Sequence, residues 1–134
     1  MCIRDRYEIV GKSASIISKH LKLRKEILTF QRKFFQGNGL VAEGRDMTTV
    51  VFPNADLKIY LDASVKERAK RRHEQLMVKG KDVSIQKLTD GITARDKLDR
   101  ERIHSPLSIA DDAFVLNSDD LNIDQTVSTI LKLI

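Results

Sequence analysis

Cysteine, proline and aromatic side chains are scarce in this 134-residue chain, and tryptophan is absent. The single cysteine, Cys2, excludes an internal disulfide and makes a reducing cytoplasm the expected location. Three scattered histidines (His20, His73, His104) without a cysteine cluster give no metal-ligand spacing, so no structural metal site is expected. Aromatics make up 5% of the residues and do not alternate with basic ones, which argues against an RNA-stacking surface. No apolar stretch approaches the ~20 residues that span a bilayer, and no secretory signal opens the chain. Neither nucleic acid nor a membrane is therefore an expected partner. What remains, 41% hydrophobic and 32% charged residues, fits one soluble globular domain.

Positive charge is not scarce. The formal net charge is +5, and it is unevenly spread. Residues 7–36 carry Lys12, Lys19, Lys22, Arg24, Lys25, Arg32 and Lys33 against Glu8 and Glu26, which accounts for the whole excess. Such a patch either attracts anions or is simply a solvated helix surface.

Residues 40–53, LVAEGRDMTTVVFP, organise the rest. Leu40-Val41-Ala42 reads as a buried strand ending at a sheet edge, where Arg45 and Asp46 emerge. Ligands of open parallel sheets sit at that edge. A forked guanidinium suits phosphate, and a carboxylate only accepts hydrogen bonds, so the pair suits a base-bearing anion. A turn carrying a surface ion pair fits the residues equally well. Upstream, residues 13–36 read as one or two helices with apolar residues at three- and four-residue spacing, broken by Gly37-Asn38-Gly39.

Downstream, Leu57-Lys58-Ile59-Tyr60-Leu61 reads as a strand. Ser64 then caps a helix, with Glu67 completing a capping-box pattern and Gly80 as its stop. A strand followed at once by a capped helix is the βα unit of a parallel sheet. Arg68, Arg71, Arg72 and Gln75 share one helical face, which either grips an anion or is solvated and relieved by Glu67–Arg71 and Lys70–Glu74 pairs. A second helix runs from about Ser84 to Arg102 and carries an Arg95-Asp99-Arg102 stripe. The stripe either orients two guanidinium forks or is a plain salt-bridged surface. Phe114-Val115-Leu116-Asn117 reads as a short strand. A last amphipathic helix follows, capped within residues 119–123, with Val127, Ile130, Leu131 and Ile134 facing the core.

GRDMTTVVFPNADLKIYLDAS, ERAKRRHEQLMVKG, ARDKLDRER and Gln31-Arg32 together resemble the bacterial cytidylate kinase family, from about Ser15 to the C-terminus. The resemblance implies an α/β fold of the nucleoside-monophosphate-kinase kind, within the P-loop NTPase class. It implies transfer of a phosphoryl group from ATP, with Mg2+, to CMP or dCMP. In that resemblance Ser15, Arg24 and Asp46 read the base, Arg95 and Asp99 contact the sugar, and Arg45 with Arg102 clamps the phosphate. Arg71 and Arg72, on the helix leading into a mobile lid at about 72–84, are the candidates to approach the ATP phosphates. The family's proline near His20, aspartate at Glu43, glycine at Thr48, aspartate at Asn54 and arginine at Leu98 are not present here. Of these, Thr48 adds bulk where the resemblance implies close approach of backbone to a ligand, and Leu98 is expected to weaken an auxiliary contact.

The family also begins with a strand and a glycine-rich phosphate loop, and these 134 residues contain no G-x-x-x-x-G-K-[ST]. The expected organisation is a tail (1–6), the helical part of the CMP-binding region (7–38) and the C-terminal part of the kinase core (39–134). The tail resembles the translation of a sequencing-library adapter or a disordered terminus. The intact enzyme is expected to be a monomer with CMP or dCMP and ATP as its small-molecule partners, and this portion alone to be inactive. The competing readings are a basic RNA- or polyanion-binding module and a non-functional gene fragment.

Overall fold

The computed structural model describes residues 8–134, so the expectation for residues 1–6 lies outside the described residues. The elements in chain order are α1 (Glu8–Ile17), α2 (Leu21–Arg32), a π-helical turn (Met47–Val51), β1 (Ile59–Asp62), α3 (Val65–Met77), α4 (Ile85–Glu101), β2 (Phe114–Asn117) and α5 (Ile123–Leu131). They group into two units: residues 8–54 with Arg95–Ser108, and Ala55–Ala94 with Ile109–Ile134. The α4 helix is shared, its first part belonging to the second unit and its last turns to the first.

The second unit holds the sheet. β1 and β2 pair in parallel, with Ile59 opposite Phe114 and Asp62 opposite Asn117. Parallel neighbours need a long crossover, here α3 and α4. The ladder extends one bond at each end, Phe114 N–H to the Lys58 carbonyl and Ser118 N–H to the Asp62 carbonyl, both 2.9 Å. At the head of α3 the Ser64 hydroxyl accepts the Glu67 N–H at 3.2 Å. The reciprocal half of the expected capping box is not made. The Ser64 N–H donates instead to Asp119 at 2.7 Å, and the Glu67 carboxylate pairs with Arg71 at 3.0 Å. At its other end the helix closes with Gly80 N–H to the Met77 carbonyl and Lys81 N–H to the Leu76 carbonyl, at 2.9 and 3.0 Å. This paired closure needs a left-handed residue, and Gly80 sits at φ 69°. Ala63, Ala69, Leu88 and Leu116 are the buried apolar side chains of this unit.

Two further sequence expectations are corrected. Residues 40–42 are not a strand, and Val41 is fully exposed. A strand exists only through its ladder, and among the described residues the sole ladder joins β1 to β2. The cap of α5 is Asn122, within the expected residues 119–123. Its side chain accepts the Gln125 N–H at 2.8 Å while Gln125 accepts the Asn122 N–H at 2.9 Å, a complete capping box. The apolar face of α5 does not form core: Val127, Leu131 and Ile134 are exposed. A two-stranded sheet offers too little apolar surface to cover helices on its faces, and Phe114 and Val115 of β2 are themselves half exposed. Among the described residues no helix is long and apolar enough to cross a membrane.

Candidate functional site

The first unit is built from charge. Residues 13–36 form two helices, α1 and α2, separated by a turn at Ser18–Lys19 and by the extended residue His20, from which α2 starts. The α2 helix presents Arg24 to Asp46, the residue that opens the π-helical turn. Asp46 is thus placed by a helix and a turn, not by the end of a strand as its sequence context implied. In the turn the Asp46 carbonyl accepts the N–H groups of Val50 and Val51 at 2.9 and 3.1 Å, and Val51 is buried beneath it.

The last turns of α4 supply the second carboxylate. Asp99 accepts from Arg45 Nε at 2.8 Å, while Arg95 and Arg102 each lie 3.9 Å from it. The i, i+3 and i, i+4 spacings bring Arg102 and Arg95 to Asp99, as the sequence stripe implies. Arg45 joins them from a distant part of the chain. At Gly11 of α1 a Cβ would sit 3.0 Å from Arg95 Nη1, so the helix approaches that guanidinium closely where it has no side chain.

Two serines that sequence reasoning passed over tie the cluster together. The Ser18 hydroxyl donates to the Ser15 carbonyl at 2.8 Å and accepts from Arg102 Nη1 at 3.3 Å, and its own carbonyl accepts Arg24 Nη1 at 3.3 Å. Ser105 accepts Arg24 Nε on its hydroxyl at 3.3 Å and Arg102 Nε on its carbonyl. Ser105 sits at φ 51°, a left-handed conformation that costs a non-glycine residue about 1–2 kcal/mol. Two arginines bonded to one strained serine is where that strain is held. The available signal was Ser105-Pro106 directly after the Arg-Asp-Arg helix, because proline keeps the preceding residue out of the helix. Ser15 itself is buried.

Seven of the nine expected site residues (Ser15, Arg24, Arg45, Asp46, Arg95, Asp99 and Arg102) therefore fall in this unit. Among the described residues, the ion pairs of this cluster set four guanidiniums against two carboxylates, two more positive charges than negative. The Arg102 side chain is only 6% exposed, and among the described residues its buried Nη2 has no hydrogen-bond partner. Burial first, and then the neighbouring Arg24 cation, pulls the Arg102 guanidinium below its ordinary pKa, against the opposing pull of Asp46 and Asp99. Arginine still keeps its proton near neutral pH. A buried charged donor without an acceptor is costly, and an incoming anion would supply one. A cavity of about 120 Å3 is lined by the polar Arg24, Lys25, Gln31, Asp46 and Ser105 and the apolar Leu21, Leu28 and Val50; Arg102 reaches it only through its bond to Ser105. That volume is on the scale of one aromatic ring.

Arg71 and Arg72 belong to the other unit. Arg71 donates to Glu67, to the Ser118 hydroxyl at 3.2 Å and to the carbonyls of Ser118 and Leu121, and so fastens α3 to the segment after β2. Arg72 Nη1 reaches Gln75 at 3.4 Å. The residues present do not fit the triphosphate donor. They include no glycine-rich lysine loop, and no three metal-ligating side chains converge among the described residues.

The charged cluster and the cavity share Arg24, Asp46 and Ser105, all within the first unit. The cytidylate kinase family matches over residues 4–134. The chain is 48% identical over 126 residues to the cytidylate kinase of Aeromonas salmonicida (strain A449), an alignment covering 94% of this chain and 55% of the relative. It is 49% identical to that of Nitrosomonas europaea, covering 96% and 57%, and 49% identical to that of Vibrio cholerae with the same coverage. The chain belongs to the cytidylate kinase family and carries part of its α/β fold. It spans about half the length of the curated relatives it matches.

Proposed function

We propose that this chain provides the CMP-binding portion of a cytidylate kinase, which transfers a phosphoryl group from MgATP to CMP or dCMP and yields CDP or dCDP. The observation that carries this reading is the buried, unpartnered Arg102 Nη2 within a cluster whose charge surplus equals that of a phosphomonoester dianion. In this reading Asp46 accepts from the exocyclic amino group of cytosine, the pairing a carboxylate makes with cytosine edges in DNA. Arg24 donates to the ring acceptors, with Ser15 beneath. Arg95 and Asp99 hold the sugar, while Arg45 and Arg102 clamp the phosphate.

The family's chemistry asks no nucleophile or general base of the protein, since a phosphate oxygen of CMP attacks and catalysis consists of positioning and charge stabilisation. Toward the donor, Arg71 and Arg72 remain the proposed lid arginines, with residues 72–84 as the lid. Arg71 would first have to release Ser118. Because the residues present do not cradle ATP phosphates, the 134-residue chain by itself is proposed to bind CMP without turning it over.

The polyanion-module reading loses ground. Arg24 of the basic patch pairs with Asp46, and the exposed Arg32 is taken up by the backbone carbonyls of Val50 and Val51. Calorimetry of the purified chain tests the proposal. CMP should bind, UMP should bind more weakly, and Arg102→Ala should weaken CMP at least tenfold. Salt-sensitive RNA binding with no response to CMP would overturn the reading, and CDP formed from CMP and MgATP would overturn the inactivity.

A further inference from the structure

Asp46 can distinguish bases only if its carboxylate stays where it is, and its backbone belongs to an unusual element. The π-helical turn Met47–Val51 is short, and its wider hydrogen-bonded rings are a less stable arrangement than an α-helix. At its ends Val50 and Val51 N–H donate to the Asp46 carbonyl, and Phe52 N–H to the Met47 carbonyl at 2.7 Å. Its C-terminal carbonyls, like those of any helix, have no acceptor role inside the element.

Arg32 takes up two of them. Its Nε donates to the Val51 carbonyl at 3.0 Å and its Nη2 to the Val50 carbonyl at 2.9 Å. Arg24 and Arg32 lie eight residues apart on the same helix, about 12 Å along its axis. One rigid helix therefore grips the turn at both ends, by the Asp46 side chain at one and by the carbonyls of Val50 and Val51 at the other. Val50 also lines the cavity next to Asp46, so a shift at the far grip changes the cavity wall as well.

We infer that Arg32, which touches no expected ligand group, is a positioning residue for base recognition: its forked bonds to the Val50 and Val51 carbonyls fix the turn that presents Asp46. The inference rests on the CMP reading above. Lysine cannot replace the fork, because an ammonium is a point donor without the planar two-nitrogen geometry.

The test compares Arg32→Lys and Arg32→Ala with a neighbouring charge control, Lys33→Ala, in two measurements on the 134-residue chain. In amide hydrogen exchange without ligand, Val50, Val51 and Phe52 should exchange at least about tenfold faster in both Arg32 variants. The Lys33→Ala chain should match the parent, and amides of α4 should be unchanged. In nucleotide titrations CMP should weaken by about tenfold, while inorganic phosphate changes less than about twofold, so the CMP-over-UMP preference shrinks. A merely structural role would lower all three ligands together. Unchanged exchange at the three turn amides, or full rescue by lysine, would overturn the inference. If the parent chain failed to prefer CMP over UMP, the CMP reading would fall and recognition by Asp46 with it. The exchange arm would still report whether Arg32 holds the turn.

Discussion

Removing the carboxylate of Asp99 while keeping its shape should make the free protein less stable and its grip on phosphate stronger. Asp99 is 4% exposed and faces three guanidiniums: Arg45 at 2.8 Å, and Arg95 and Arg102 at 3.9 Å. Two unit charges at about 4 Å interact by ~4 kcal/mol at an effective dielectric near 20. Arg45 and Arg95 are 41% and 46% exposed, so water screens most of their share, and the buried Arg102 dominates. The cost of burying the carboxylate offsets part of the gain. Asp99→Asn should therefore lose ~2 kcal/mol, or about 6–10 °C in Tm for a domain of this size. The substitution also leaves the cluster with one more unit of positive charge, so inorganic phosphate should bind roughly three- to tenfold tighter. CMP should gain less, because asparagine is a poorer acceptor for the sugar, and the CMP-to-phosphate affinity ratio should fall. Thermal melts by circular dichroism across a phosphate series, with calorimetry for CMP, read both effects. An unchanged Tm, or phosphate binding weaker than in the parent chain, would refute the charge argument.

Asp112 is held below its ordinary pKa chiefly by its hydrogen bonds with Lys58, whose own side chain is 8% exposed. A carboxylate depressed on folding contributes stability above about pH 3.8, its unfolded value, and loses it as pH falls through the lower folded value. The Tm difference between the parent and Asp112→Asn should thus be constant near neutrality and vanish in strong acid; a difference that persists there would contradict the assignment. Arg71→Ala should cost ~1–2 kcal/mol by freeing the Ser118 and Leu121 carbonyls, whereas the exposed Lys70→Ala should stay within about 0.5 kcal/mol. Equal urea midpoints for these two variants would show that Arg71 does not fasten α3.

Local chemistry was readable wherever an element's own residues decide its form. The Ser64 cap, the Gly80 stop, α4 and β2 follow from apolar spacing, capping residues and glycine and stand where the sequence puts them, while the two helices read over 13–36 begin earlier, at Glu8, and end at Arg32. The failures share one cause. Leu40-Val41-Ala42 has the composition of a buried strand and α5 that of a packed helix, but burial needs a partner surface that composition cannot supply. Ser64 and Glu67 fit a capping box, yet the Ser64 N–H went to Asp119, 55 residues away, and Arg71 claimed Glu67. A local pattern gives way when a charged group from elsewhere in the chain competes for the same donor.

The site divides along the same line. The stripe of Arg95, Asp99 and Arg102 is periodic, so its convergence could be read from spacing, and nothing in spacing says that Arg45 completes it or that Arg24 meets Asp46. Motif resemblance supplied those residues, because a family motif records contacts between distant segments that one sequence cannot display. It named side chains that would meet the ligand, cited Arg32 only as part of the Gln31-Arg32 motif with no role, and passed over Ser18 and Ser105, which meet the arginines as Arg32 meets the turn. Four cations gathered round two carboxylates repel one another until something orders them. Here two serines and one further arginine order them through backbone carbonyls and hydroxyls, groups that every sequence contains and no pattern distinguishes. On the CMP reading proposed above, substitutions at Ser18, Ser105 or Arg32 should alter recognition without touching the nucleotide.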